Sequence, residues 1–179
     1  HPAVNLGGPF PQQFNLADLD LDLEVIAATG GGVAANLNTI WINQVPALPA
    51  KALPDGIAGL APVYWDITTT LDAYQMNITF NLTDYLPFGN PANWRLLKRD
   101  SKLAPWIVYD NISVAGNTIT ALGVLDLSEW AVGSTETTLP VELSAFTALV
   151  NSDNLVSLQW TTQSETNLSG YGILRNQSE

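Results

Sequence analysis

Residues 18–25 read Asp-Leu-Asp-Leu-Asp-Leu-Glu-Val, an uninterrupted alternation of acidic and apolar side chains. Successive side chains of a β-strand point to opposite faces of the sheet, so a period of two predicts a strand with one buried face. The buried face would carry the four apolar side chains, Leu19, Leu21, Leu23 and Val25. The acidic side chains would then lie on the opposite face, toward water.

Similar apolar stretches recur along the chain and are separated by residues that favour turns. Candidate strands lie near residues 36–44, 63–70, 75–82, 94–99, 106–109, 118–122 and 130–132. No continuous helical periodicity is present. Several short strands at regular spacing are typical of a sandwich or a barrel. We therefore predict an all-β fold, with an immunoglobulin-like β-sandwich over residues 14–133.

The distribution of proline and glycine indicates where this sandwich begins and ends. Residues 1–13 contain three prolines and two glycines without periodicity, which predicts an N-terminal arm. Residues 45–62 contain four prolines and predict a long connection, because proline cannot serve a central strand. Residues 134–138 are small and polar, which predicts a linker. Apolar alternation restarts in residues 139–179, where we predict a second domain, and Trp160 is expected in its core.

The charge balance argues against two classes of partner. Only 13% of the 179 residues are charged, and the net charge is −11. Nucleic-acid binding needs clustered Lys and Arg, and anionic membrane surfaces also attract cations, so we expect neither partner. No apolar stretch reaches the roughly 18–20 residues that cross a membrane, so no membrane insertion is expected.

Cysteine and histidine usage limits the chemistry that the chain can perform. The absence of cysteine excludes disulfides, thiol catalysis and thiolate metal sites. The single histidine is His1, at the terminus, which argues against a Ser-His-Asp arrangement. A glycosidase with two carboxylates stays open, with Glu129 beside Trp130 as its best candidate, although a structural role in a turn is favoured. The sequence therefore predicts no enzymatic activity, no catalytic residue and no cofactor.

The acidic residues of the opening stretch are the best candidates for a metal ion. Asp18, Asp20 and Asp22 would supply carboxylates from one strand face, spaced about 6.5–7 Å apart. Ca²⁺ needs six to eight oxygens that converge from several directions, so a loop such as residues 84–93 would have to contribute. The favoured alternative is a solvated face that keeps the strand from pairing wrongly.

Tryptophan and basic residues are the candidates for a ligand or partner surface. Trp94 and Trp106 lie near predicted loops and could form an exposed platform for a polysaccharide, whereas Trp65 is expected in the core. Four of the six cations are close together in sequence, at Arg95, Lys98, Arg99 and Lys102. They could bind an acidic partner, including the acidic stretch of a neighbouring copy. The alternative is a solvated strand and turn.

The C-terminal part of the chain, from residue 139 onward, carries a recognisable series of motifs. Residues 139–148 read LPVELSAFTA, and residues 156–161 read VSLQWT. A polar turn follows at 164–167, and residues 170–175 read GYGILR. The pattern resembles proteins of bacteria with type IX secretion, in which an LPVELxxFxA strand opens a fibronectin type III-like domain. The upstream region resembles the β-sandwich that often precedes it, through residues 64–67, 77–80, 96–99, Trp106 and 128–132.

This resemblance implies an exported, extracellular or cell-surface protein whose sandwich modules act as spacers, stalks or adhesive units. The start at His1 rather than Met is also expected of a processed, secreted chain. Residues 139–179 hold about three of the seven strands that such a domain needs. They could be a fragment, could dock on the first domain, or could receive strands from a neighbouring copy.

We therefore predict a structural or adhesive module, such as a filament subunit that assembles by strand-edge pairing. Its expected partners are other β-sandwich domains or copies of itself. The alternative is a carbohydrate-binding module of a secreted enzyme, with a polysaccharide as its partner.

Overall fold

The structure, a computed structural model, confirms the all-β prediction. It describes residues 3–7, 9–29, 38–47, 52–86, 88–136, 143–153 and 155–162. The described residues form thirteen strands and three short 3₁₀ turns. The chain divides into two compact units, His1–Thr137 and Thr138–Glu179. The GYGILR motif at residues 170–175 lies outside the described residues.

The described residues of the first unit form eleven strands in two antiparallel sheets. In chain order they are β1 (Ala3–Asn5), β2 (Gln12–Leu16), β3 (Leu21–Thr29), β4 (Thr39–Val45), β5 (Gly59–Thr69), β6 (Ala73–Asn81), β7 (Trp94–Arg99), β8 (Ile107–Tyr109), β9 (Ile112–Ala115), β10 (Thr118–Val124) and β11 (Glu129–Ser134). The six-stranded sheet has the order β1-β4-β5-β11-β7-β8, and the five-stranded sheet has the order β2-β3-β6-β10-β9. The 3₁₀ turns are Ala17–Leu19, Thr83–Tyr85 and Pro91–Asn93.

The chain passes from one sheet to the other at both edges of this sandwich. The consecutive strands β1 and β2 are edge strands of different sheets, and so are β8 and β9. All four are short, between three and five residues. Short edge strands offer few unpaired backbone groups to another chain, which protects a sandwich against edge-to-edge association.

The core lies between the two sheets and follows the alternation that the sequence shows. Leu21, Leu23 and Val25 of β3 are buried, as predicted, and Trp65 is completely buried. Aromatic rings join the two layers, since the ring centroids of Trp65 and Phe80 are 4.8 Å apart. Burial of these apolar side chains is the main stabilising contribution to the fold, at about 25 cal/mol per Å² of apolar surface.

The predicted start of the first long strand is wrong. Residues Ala17–Leu19 form a 3₁₀ turn, Asp20 adopts a left-handed conformation with φ 51°, and β3 begins only at Leu21. Asp20 donates its backbone N–H to the carbonyl of Ala17, which closes the turn. The indole Nε1 of Trp65 donates to the carbonyl of Leu19 at 2.8 Å. Because of these contacts, residues 18–20 form a turn, although their alternation of acidic and apolar side chains predicted a strand.

The predicted arm and linker also belong in part to the sandwich. Within residues 1–13, Ala3–Asn5 pair with β4, Val4 and Leu6 are buried, and β2 begins at Gln12. At the other end, Ser134 is the last residue of β11 and is completely buried. Glu136 then accepts hydrogen bonds from Asn90 and Asn93. The sandwich therefore extends beyond the predicted limits of 14 and 133 on both sides.

The predicted proline-rich connection over residues 45–62 is shorter than expected, because β5 already begins at Gly59. Pro62 lies inside this central strand, which proline normally avoids. The pairing explains how it is tolerated. Strand β4 ends opposite Tyr64, so it does not reach Pro62. On the other side, the register with β11 shifts between Ala131, which is opposite Tyr64, and Gly133, which is opposite Leu60. Pro62 lies between these two partners, inside the shift. The missing N–H therefore breaks no regular ladder.

The described part of the second unit is a β-hairpin. Its strands are β12 (Leu143–Val150) and β13 (Val156–Thr162), which pair antiparallel. The register places Phe146 opposite Trp160, and Val150 opposite Val156. The side chain of Asn151 accepts hydrogen bonds from the backbone of Asp153 and Leu155, which shapes the connecting turn. Residues 137–142 and 163–179 lie outside the described residues.

Candidate functional site

Both tryptophans that were predicted to form an exposed platform are buried. Trp94 has no exposed surface, and Trp106 is 3% exposed. The indole Nε1 of Trp94 donates to the carbonyl of Phe88, and the two rings are 6.2 Å apart. The guanidinium of Arg99 lies 4.4 Å from the ring centroid of Trp106. The prediction of exposure is wrong because Trp94 is the first residue of β7 and belongs to the main core, and Trp106 packs with Leu97 in a second, smaller cluster.

The four basic residues do not form the predicted patch either. Arg99 is buried and forms an ion pair with Glu129, which is opposite it in the register of β7 and β11. Arg95 donates to the backbone carbonyls of Ala92 and Trp94. Lys98 is buried at the end of β7, and Lys102 is exposed in the following turn. Alternation along β7 places Lys98 on the opposite face from Arg95 and Arg99, and Lys102 lies beyond the end of the strand.

Lys98 is held by two carboxylates. Its Nζ donates to Asp126 at 2.7 Å and to Asp100 at 3.1 Å. Burial of the ammonium lowers its pKa, but the hydrogen bonds and charges of the two aspartates outweigh this effect, so the pKa lies above its ordinary value. The ion pair therefore keeps Lys98 charged at any physiological pH, and its function is structural.

The three aspartates proposed as calcium ligands have different environments. Asp18 is exposed in the 3₁₀ turn, whereas Asp22 lies on the outer face of β3. Asp20 Oδ2 accepts hydrogen bonds from the hydroxyl of Tyr85 at 2.8 Å and from Gln44 at 2.9 Å. Burial, and next the carboxylate of Asp20, raise the pKa of Tyr85. Over the described ranges, no group of three or more acidic, histidine or cysteine side chains could hold a metal ion.

Around β7 and β11, the outer face of the six-stranded sheet is covered by other parts of the chain. Leu97, Trp106 and Ala131 form a second, smaller core cluster, against which Ile57 and Tyr64 pack. A Cβ added at Gly133 would lie 2.9 Å from Cγ2 of Ile57, so the covering segment lies directly on the strand. The buried pair of Arg99 and Glu129 is on this face. Glu129, the glycosidase candidate, is therefore committed to an ion pair.

The outer face of the five-stranded sheet is open and polar. One row of opposed residues crosses all five of its strands, in the order Asn15, Asp22, Thr79, Thr120 and Ser113. Asn15 donates to Asp22 at 2.7 Å, and the hydroxyls of Thr79 and Thr120 are 2.9 Å apart. The row therefore carries hydroxyl, amide and carboxylate groups that are already oriented by their neighbours.

A second polar row lies beside the first. Gln13 is opposite Glu24, and Glu24 is opposite Asn77. Asn77 donates its amide to Glu24 at 2.7 Å and accepts from the backbone N–H of Gly123 at 2.9 Å. Gly123 has φ 64° and lies at a register shift in β10, which turns its N–H toward Asn77. Glycine adopts this conformation without steric cost.

The two rows form the base of a groove of about 520 Å³. Its lining is Gln13, Phe14, Asn15, Asp22, Leu23, Glu24, Asn77, Thr79, Ser113, Thr120 and Leu122. Sequence reasoning missed this surface, although a signal was present. The alternation of residues 118–121, Thr-Ile-Thr-Ala, already indicates one polar face. What the sequence does not show is that this face lies beside those of β2, β3, β6 and β9.

The hairpin is the second exposed surface of interest. Phe146, Val150 and Val156 share one face of the hairpin and are 59%, 68% and 62% exposed. Trp160, predicted to be in a core, is only half-buried. Within the described residues, each of the two strands pairs only with the other. Among the described residues, the hairpin therefore has an exposed apolar face and two strand edges that pair with no further strand.

The geometry defines an all-β protein with a two-sheet sandwich and a separate β-hairpin. No protein-family model, curated protein or solved structure matches the chain. In the part of the chain that the structure describes, no helix is both long and apolar enough to cross a membrane.

Proposed function

We propose that this chain is an extracellular structural or adhesive module that self-associates through the hairpin of its second unit. The observation that carries the proposal is the exposed apolar face of β12 and β13. Soluble proteins rarely leave contiguous apolar patches exposed unless another surface covers them. Large aromatic side chains such as Phe146 contribute strongly to the energy of association.

The open edges of the hairpin support the same proposal. A two-stranded hairpin is marginally stable in water and gains stability when further strands or a second layer are added. An incoming strand would pair with the backbone of β12 or β13, and side chains such as Val150 would provide specificity. The sandwich is less suited to this role, because its edge strands are short. Association would therefore depend on the hairpin rather than on the first unit.

Composition and resemblance support an extracellular location. The chain has few charges and resembles secreted proteins of bacteria with type IX secretion. We propose that the first unit is an immunoglobulin-like sandwich and that the second belongs to a fibronectin type III-like domain. The partner is a second copy of this chain or a similar β-sandwich, and the module performs no catalysis.

Light scattering coupled to size-exclusion chromatography tests the proposal on the full chain. We expect the average mass to rise with concentration. We also expect salt to strengthen the association, because each copy carries a net charge of −11 and salt screens the mutual repulsion. Phe146→Lys and, separately, Val156→Lys should return the chain to a monomer, since a charge in the contact must lose its hydration.

Leu103→Lys is the matched control, because Leu103 is 84% exposed in a turn of the sandwich. Association should be unchanged in this variant. The thermal unfolding of the sandwich, followed by tryptophan fluorescence, should be the same in all three variants. A wild-type chain that stays monomeric at every concentration and salt level would refute the proposal. Association that survives both hairpin variants would also refute it.

A further inference from the structure

We infer that the outer face of the five-stranded sheet binds a neutral polysaccharide in the groove between its two polar rows. The inference does not depend on the proposed self-association, since the groove lies entirely in the first unit. It differs from the platform that the sequence predicted, because Trp94 and Trp106 are buried and take no part.

The shape of the groove suits an extended ligand. The row from Asn15 to Ser113 crosses five strands, which are about 4.8 Å apart, so it spans about 19 Å. The groove has a volume of about 520 Å³, within the range of typical ligand sites. An extended oligosaccharide that lies across the strands would contact both polar rows at once. A compact small molecule would use only part of this length.

The chemistry of the lining suits hydroxyl groups. Sugar hydroxyls both donate and accept hydrogen bonds, and Asp22 and Glu24 each use one carboxylate oxygen for a neighbouring amide. A ligand hydroxyl can donate to the second oxygen, and hydrogen bonds to ionised groups are stronger than those between neutral groups. Ser113 adds a hydroxyl that both donates and accepts. The apolar side chain of Leu122 can contact the C–H face of a sugar ring.

Hydrogen bonds within the lining reduce the cost of binding. Asn15 with Asp22, Thr79 with Thr120, and Asn77 with Glu24 already restrict the rotamers of the lining side chains. A site whose side chains are ordered before binding loses less conformational entropy when the ligand arrives.

Charge defines the class of polysaccharide. The lining contains two carboxylates and no Lys or Arg, so a sulfated or uronic-acid polymer would meet like charges. A protein partner is less suitable, because interface cores are depleted in charged side chains and enriched in aromatic ones. A neutral polysaccharide carries no charge that the two carboxylates would repel, and its hydroxyls suit the polar lining.

The test is a binding assay of the full chain on neutral polysaccharides, namely cellulose, xylan, mannan, chitin and starch, with heparin as the anionic comparison. We expect binding to at least one neutral polymer, none to heparin, and no change on addition of EDTA. Asp22→Asn and Thr120→Val should each weaken binding about tenfold or more, which corresponds to the loss of one strong or two ordinary hydrogen bonds.

The controls repeat the same chemical changes outside the groove. Asp18→Asn alters an exposed carboxylate of the 3₁₀ turn, and Thr68→Val alters an exposed hydroxyl of β5. Binding should be unchanged in both, and Phe146→Lys should also bind normally, which separates this inference from the proposed association. Failure to bind any of the five neutral polymers overturns the inference. So does binding that EDTA abolishes, or binding that Asp22→Asn and Thr120→Val leave unaltered. Self-association that is lost in these two variants would assign the face to a second copy instead.

Discussion

The outer faces of the two sheets of the sandwich are built in opposite ways. On the six-stranded sheet, Trp106 and Ile57 cover the strands, and the ion pair of Arg99 and Glu129 is buried beneath this cover. On the five-stranded sheet, Asp22 and Thr120 belong to an open groove. A covered charge must be paired, because desolvation of an isolated ion is costly. An open polar face needs no such pairing, so its side chains are available to a ligand.

This comparison separates stability from binding. Substitutions on the covered face should lower the free energy of unfolding and leave polysaccharide binding intact in the folded protein. Substitutions in the groove should weaken polysaccharide binding and leave the free energy of unfolding nearly unchanged. Urea denaturation of the full chain measures the free energy of unfolding of the first unit in each variant.

The largest effect is expected for Glu129→Ala. It leaves the buried guanidinium of Arg99 without its carboxylate, so the free energy of unfolding should fall by about 3–5 kcal/mol. Asp22→Asn, on the open face, should change it by less than about 0.5 kcal/mol. The double variant Arg99→Met/Glu129→Leu should recover most of the loss, because it removes both buried charges. A loss below about 1 kcal/mol for Glu129→Ala would show that water reaches the pair.

A smaller effect is expected for Gly133→Ala. The new methyl group would lie 2.9 Å from Ile57 and 3.3 Å from Leu97, and overpacking of this kind costs about 1–3 kcal/mol. Adding Ile57→Ala should relieve part of the strain, so the two changes should not be additive. Additive losses in this double-mutant cycle would mean that Ile57 does not lie over the strand.

The ion pairs of Lys98 predict a loss of stability at high pH. Its pKa is raised from 10.5 in the folded state, so this contribution is fully present below pH 10.5 and is lost as the pH rises through the folded-state pKa. The partners Asp100 and Asp126 are largely exposed, so the contribution is about 0.5–1 kcal/mol. In the variant Lys98→Met, the free energy of unfolding should fall less steeply as the pH rises. Tyr85, whose pKa is also raised, adds to the decline in both proteins.

The smallest effect is expected for Thr120→Val in the groove. The substitution removes one hydroxyl, keeps the β-branched shape that strands favour, and exposes no core residue. The free energy of unfolding should change by no more than about 0.5 kcal/mol. A loss of 2 kcal/mol or more would mean that the polar rows are needed for folding, and the separation between the two faces would fail.

Local pattern predicted much of the sandwich. Strand β7 was predicted at its observed limits, residues 94–99, and the alternation of Leu21, Leu23 and Val25 was confirmed as a core face. The edge strands β1, β2 and β9 were missed, although residues 13–16 in β2 alternate polar and apolar side chains. Short edge strands carry too few residues for a periodic signal to stand out from loops.

The candidate surfaces were harder to predict. Trp94 and Trp106 were expected to be exposed because they lie near loops. Whether such a residue is exposed depends on how distant parts of the chain pack around it. Arg95 and Lys102 are close to Arg99 in sequence, but only Arg99 has a buried carboxylate opposite it. The groove combines residues as distant in sequence as Asn15 and Thr120, and no local pattern relates them.

Sequence alone was sufficient for the all-β class and for which side chains of the long strands enter the core, because alternation is a local property of the backbone. The order of the strands in the two sheets was decided only by the tertiary structure. That order determines which outer face is covered and which polar residues share a row. Each of these features depends on contacts between distant segments, whose energies become favourable only when the whole sandwich has formed.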